Sequence, residues 1–231
     1  MNNLLHVEYG QTGQSASLNE MGMREMQARA FAERNSQYLL IKAPPACGKS
    51  RALMFLGLDK LERQGLRKVI VAVPEKSIGG SFQNTQLTEH GFFADWVVSA
   101  ENNLCVDGSD SGKVNAFQRF MNGDDRILVC THATLRFAFD KLPVAVFNDC
   151  VVAIDEFHHV SADGDNRLGG LIDDLMNKSS ANIVAMTGSY FRGDTVPILL
   201  AEDEAKFTKV TYTYYEQLNG YQYLKSLGIG Y

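Results

Sequence analysis

The chain has 231 residues, 45% of them hydrophobic and 21% charged, with a formal net charge of −5. That length favours one large domain with a full core, and the composition excludes a disordered chain. The negative charge excludes a polybasic binder that holds nucleic acid by bulk electrostatics, but leaves phosphate contacts from individual loops open.

Cys47, Cys105, Cys130 and Cys150 form no C-x-x-C pair, and three of them lie in or beside apolar runs. This argues against a metal cluster or a disulfide framework and for a reducing compartment. The N-terminal stretch has no basic segment leading into an apolar one, and no apolar run approaches the roughly 18 residues of a membrane span. The expected location is cytoplasmic, without a membrane partner.

In chain order, residues 1–19 are polar and predict a flexible leader. Met23, Met26, Ala30 and Phe31 begin a helical periodicity that predicts about four turns. Short continuous apolar runs then recur at Tyr38–Lys42, Lys68–Val73, Trp96–Ser99, Ile127–Thr131, Val151–Ile154 and Ile183–Thr187. Runs of this kind predict strands buried on both faces. Between them, Leu53, Leu56 and Leu61 share a helical face that can stop at Gly65, and Leu168, Leu171, Ile172, Leu175 and Met176 mark another. The stretch Asp107–Gly112 predicts an exposed loop. Alternating strands and helices predict an α/β domain, a mostly parallel sheet with helices on both faces. We expect that domain over residues 20–205. The tyrosine-rich residues 206–231 are expected to start a connection to a further domain.

Residues 43–50, APPACGKS, fit [AG]-x-x-x-x-G-K-[ST] between a strand and a helix. Such a loop, here Pro45, Ala46, Cys47 and Gly48, wraps phosphate oxygens with the backbone N–H groups from Ala46 onward, and Pro45 contributes only its place in the loop. Lys49 would reach the β- and γ-phosphates, and Ser50 would place its hydroxyl on Mg²⁺. Cys47 admits a redox reading, though a small filler suits the position better.

About a hundred residues later, VVAIDEFHH ends a buried run on two carboxylates. At the C-terminal end of a parallel strand, Asp155 would anchor Mg²⁺ and Glu156 would orient or deprotonate the attacking water. Alone, such a pair often marks only a strand leaving the core. His158 and His159 suggest a metal site, but neighbours on a strand point oppositely and no further ligand is spaced to complete a zinc set. Coupling to the nucleotide state is the better role for His158.

Together these segments resemble the first motor domain of superfamily 2 helicases, the DEAD/DEAH-box group in the broad sense. MREMQARAF resembles the upstream glutamine motif, APPACGKS motif I, VAVPEKSIGGSF motif Ia, VCTHATLRFAF motif Ib, DEFH motif II and MTGSYFRGD motif III. The resemblance covers about residues 20–200 and implies a RecA-like fold that uses ATP and Mg²⁺. By the same resemblance Gln27 reads adenine, and Thr187 and Ser189 couple the γ-phosphate to motif II. Pro74, Ser77, Thr131 and His132 meet a DNA or RNA backbone, although each taken alone is a plausible turn or cap.

Two departures stand out. Ala46 occupies a position where the family usually has glycine; alanine fits if its φ is negative. The family's second RecA-like domain, with its arginine fingers, does not fit in the remaining residues, and no arginine follows Arg192. The implied function is half of an ATP-driven helicase or translocase. The alternatives are a duplex translocase subunit of a restriction or defence assembly, and a P-loop switch or small-molecule kinase without a nucleic-acid role.

Overall fold

The computed structural model describes residues 5–8, 18–106, 110–157, 167–188, 201–220 and 226–229. In chain order the elements are β1 (Leu5–Glu8), α1 (Glu25–Ala32), β2 (Tyr38–Lys42), α2 (Lys49–Glu62), β3 (Lys68–Val73), α3 (Asp110–Asn122), β4 (Ile127–Thr131), α4 (His132–Phe139), β5 (Cys150–Ile154), α5 (Arg167–Lys178), β6 (Asn182–Thr187), α6 (Ala201–Glu204), β7 (Thr208–Thr211), α7 (Tyr214–Gly220) and β8 (Ser226–Ile229). Short 3₁₀ turns lie at Lys76–Phe82, Thr88–His90, Ala100–Asn102 and Val144–Phe147.

Six strands form one sheet in the order β4-β3-β5-β6-β2-β7, and every pair in it is parallel. The strand period of two splits each apolar run between two cores. Val69, Val71, Val151, Ala153, Val184 and Met186 face the layer of α1 and α2, while Ile70, Ala72, Cys150, Val152, Ile154 and Ile183 face the layer of α3, α4 and α5. Both faces are covered, which is why these segments read as continuous rather than alternating. α2 is buried from Ala52 to Leu61, so it behaves as an inner helix and not as the one-faced helix its leucines suggest.

The structure departs from the sequence reading in several places. α1 has eight residues, not four turns. Arg24 is its N-cap and the Gln27 side chain accepts from the Arg24 N–H, so the helix cannot begin at Met23, which is held instead by Asn19. Trp96–Ser99 is no strand: Trp96 makes one antiparallel bridge to Thr85 and donates its indole N–H to the Phe82 carbonyl at 3.1 Å. The buried indole holds a loop on α2, whereas Val97 beside it is exposed and pairs with no strand among the described residues. The end of the stretch taken as a loop belongs to α3, which starts at Asp110. Within the stretch read as a flexible leader, Leu5–Glu8 pairs antiparallel with Ser226–Ile229. The stretch from 206, expected to lead away, supplies β7 to the main sheet beside β2, so the sheet continues past the expected boundary at 205.

Candidate active site

The C-terminal rim of the sheet collects the candidate residues. β2 delivers residues 43–48, and Gly48 caps α2 with φ +91°, a left-handed conformation suited to glycine. A Cβ at Gly48 would also fall 2.6 Å from Gln27 Nε2. That nitrogen donates to the Gly48 carbonyl at 3.1 Å, so Gln27 rests directly on the loop and is itself buried. The first turn of α2 carries no acidic side chain and no side-chain cap, which leaves its positive N-terminal end facing the loop. Burial pushes the Cys47 thiol up, as suits a packed filler rather than a nucleophile.

Ala46 has φ +61°. The condition under which alanine would fit without strain, a negative φ, is not met: the loop needs a left-handed residue here and alanine adopts the conformation against its steric preference.

Lys49 is buried, and its Nζ donates to the carbonyls of Ala43 and Pro44, both at 3.1 Å, and lies 3.8 Å from Glu156 Oε1. Glu156 Oε2 accepts the Gly188 N–H at 3.1 Å. A Cβ at Gly188 would stand 3.2 Å from Lys49 Nζ, so a side chain there would crowd the pair. Asp155 follows β5, donates its N–H to the Ala72 carbonyl and accepts the Glu156 N–H on Oδ1 at 3.0 Å. Burial, and then the neighbouring Glu156 carboxylate, raise the Asp155 carboxyl to about 6. Glu156 has φ +47°, a left-handed kink that turns its carboxylate back towards the loop lysine.

Thr187 ends β6, is buried, and accepts the Ala43 N–H on its carbonyl at 3.1 Å, next to Gly188. Ser50 sits half-buried in the first turn of α2. His158 and Ser189 lie outside the described residues. Pro74 and Ser77 follow β3 at the same rim, with Ser77 exposed. Thr131 caps α4, its Oγ1 accepting the Thr134 N–H at 3.2 Å. The His132 ring turns inward, with Nε2 2.9 Å from the Asp155 carbonyl. Sequence reasoning missed three contacts: Gly188 on Glu156, His132 on Asp155, and Gln217 Nε2 on the Pro45 carbonyl at 3.0 Å. Gly188 stands in the motif III segment and was within reach of it, whereas no local pattern flags Gln217.

Comparison with solved structures decides the architecture. The Hef helicase domain of Pyrococcus furiosus matches with a TM-score of 0.55 and 16% identity, over 82% of this chain and 38% of that one. The UvsW helicase of bacteriophage T4 matches with a TM-score of 0.53 and 19% identity, over 89% of this chain and 63% of that one. The fold is that of a helicase RecA-like domain. In sequence, the chain is 66% identical over its whole length to the Bacillus subtilis protein named "Putative ATP-dependent helicase YeeB", and spans 38% of that relative. No protein-family model matches the chain. None of the helices among the described residues of this RecA-like domain is long and apolar enough to cross a membrane.

Proposed function

We propose that this chain is the ATP-binding motor domain of a nucleic-acid helicase or translocase. The observation that carries the reading is the meeting of two distant motifs at one rim, where Lys49 of the phosphate loop lies 3.8 Å from Glu156 of the acidic turn. The helicase fold and the high identity to a protein named as a helicase support it.

The site fits a magnesium nucleotide. Asp155, buried, and Glu156 adjoin beside Lys49, and a divalent cation would offset the repulsion between the two carboxylates. Mg²⁺ is commonly held by one or two protein oxygens plus substrate phosphates, and Ser50 and Asp155 would supply them. When bound, it would neutralise charge on the phosphates. Lys49 would exchange its loop carbonyls for phosphate oxygens. Glu156, held by the Gly188 N–H, would accept the proton of the attacking water. Gln27 offers the remaining capacity of its amide to the base edge, and Thr187 would relay changes at Gly188. Pro74, Ser77 and Thr131 open on the rim where a DNA or RNA backbone would lie. A second RecA-like domain would complete the site, as the resemblance implies.

The test is ATP turnover by the full-length protein with single-stranded and duplex DNA and RNA, beside a strand-displacement assay. Nucleic-acid-stimulated turnover supports the motor. Duplex stimulation without displacement points to a translocase, and turnover indifferent to every nucleic acid rejects the nucleic-acid role.

A further inference from the structure

The phosphate loop is gripped from outside by two glutamine amides. Gln27 holds the Gly48 carbonyl from α1, and Gln217 holds the Pro45 carbonyl from α7, 172 positions away in sequence. The second grip falls on the peptide that enters Ala46, the residue with φ +61°. That peptide is trans, so fixing its C=O towards α7 aims the Ala46 N–H away from α7. Left-handed non-glycine residues persist where their surroundings over-determine them, and Gln217 is placed to do this.

α7 is itself fixed. Thr213 and Glu216 cap one another: Thr213 N–H donates to Glu216 Oε2 at 2.7 Å and Glu216 N–H to Thr213 Oγ1 at 3.2 Å. Glu216 also pairs with Arg29 of α1 at 2.9 Å, and Arg29 donates to the Thr211 carbonyl at 2.8 Å. The Tyr212 N–H donates to the Lys42 carbonyl, at the last residue before the loop region. The Gln217 side chain is buried against the loop, so its amide has a defined direction.

We propose that Gln217 is a positioning residue for nucleotide binding: its amide holds the Pro45–Ala46 peptide in the conformation that receives phosphate, in place of the glycine that would adopt it unaided. The inference rests on the phosphate-loop reading. It places a determinant of nucleotide affinity on α7, beyond the last helicase-like motif.

The test is titration of the chain with Mg²⁺–ATP, with melting curves in parallel. Gln217→Met keeps the length and burial of the side chain but removes the donor; Gln217→Ala removes both. Both are expected to weaken Mg²⁺–ATP roughly five- to tenfold, the size of one hydrogen bond, and Gln217→Met should stay folded at the titration temperature, with a Tm lowered by no more than about 2–4 °C. Adding Ala46→Gly to either variant should recover most of the affinity, since glycine takes the left-handed conformation without the hold. A merely structural role for Gln217 would not be rescued at Ala46. Wild-type affinity in Gln217→Met overturns the proposal while leaving the phosphate loop intact. A folded wild-type chain that binds no nucleotide overturns the phosphate-loop reading and this inference with it.

Discussion

His132 Nε2 lies 2.9 Å from the backbone oxygen of Asp155 and ties the start of α4 to the acidic turn after β5. The resemblance assigned His132 to the nucleic-acid track, but its ring is engaged inside the domain. A backbone held at Thr131 would therefore act on Asp155 and Glu156 through this contact. His132→Ala in the full-length protein is expected to lower nucleic-acid-stimulated kcat about tenfold while the Kd for nucleic acid stays unchanged. His132→Gln, which can still meet the carbonyl, should recover part of the loss. Loss of nucleic-acid affinity with normal kcat would return His132 to the track.

Ala46→Gly is expected to stabilise the domain. Left-handed alanine costs about 1–2 kcal/mol relative to glycine, offset by about 0.4–1 kcal/mol from the greater freedom of glycine in the unfolded chain. The net gain, between about 0 and about 1.6 kcal/mol, should raise Tm by up to about 3–6 °C, read from melting curves without nucleotide. A lower Tm contradicts a strained Ala46.

Glu156→Gln should retain nucleotide binding and lose turnover. The amide keeps the shape but cannot take the proton of water, and loss of a general base costs roughly 10²–10⁴ in rate. Single-turnover hydrolysis in the full-length protein measures it. Normal turnover with bound ATP removes Glu156 from the base role.

Lys60 is fully buried on α2, donating to the Ser36 carbonyl at 3.0 Å and to Asn182 Oδ1 at 2.8 Å. Burial lowers its ammonium to about 8, against a partial opposing pull from Asp59. Below that value both folded and unfolded chains are protonated and the burial cost is fully present. Between about 8 and the ordinary lysine value of about 10.4, the unfolded chain binds more protons. Stability contributed at this site should therefore rise with pH across that window, by up to about 1.4 kcal/mol per pH unit. Denaturant unfolding at several pH values reads this as the difference between wild type and Lys60→Met. Equal slopes in the two proteins contradict it.

The sheet was legible because each buried strand is a contiguous apolar run, and the phosphate loop and acidic pair because their chemistry sits in short segments. Trp96–Ser99 misled because one buried indole and its neighbours mimic a strand when no partner is visible. β7 was missed because its residues alternate in exposure at the sheet edge and do not form a continuous apolar run. The Ala46 conformation depends on a bond from Gln217, and the inward turn of His132 on the position of β5. Neither is encoded in neighbouring residues.

Residues 43–50 and the Asp155–Glu156 turn are proposed to form one nucleotide site. The most direct measurement is calorimetric titration of Mg²⁺–ATP into the wild-type chain and into Lys49→Ala, with melting curves to show that both are folded. The wild type should bind saturably and Lys49→Ala roughly 10- to 100-fold more weakly, the weight of a charge-assisted contact to phosphate. Equal affinity in the two folded proteins would contradict it.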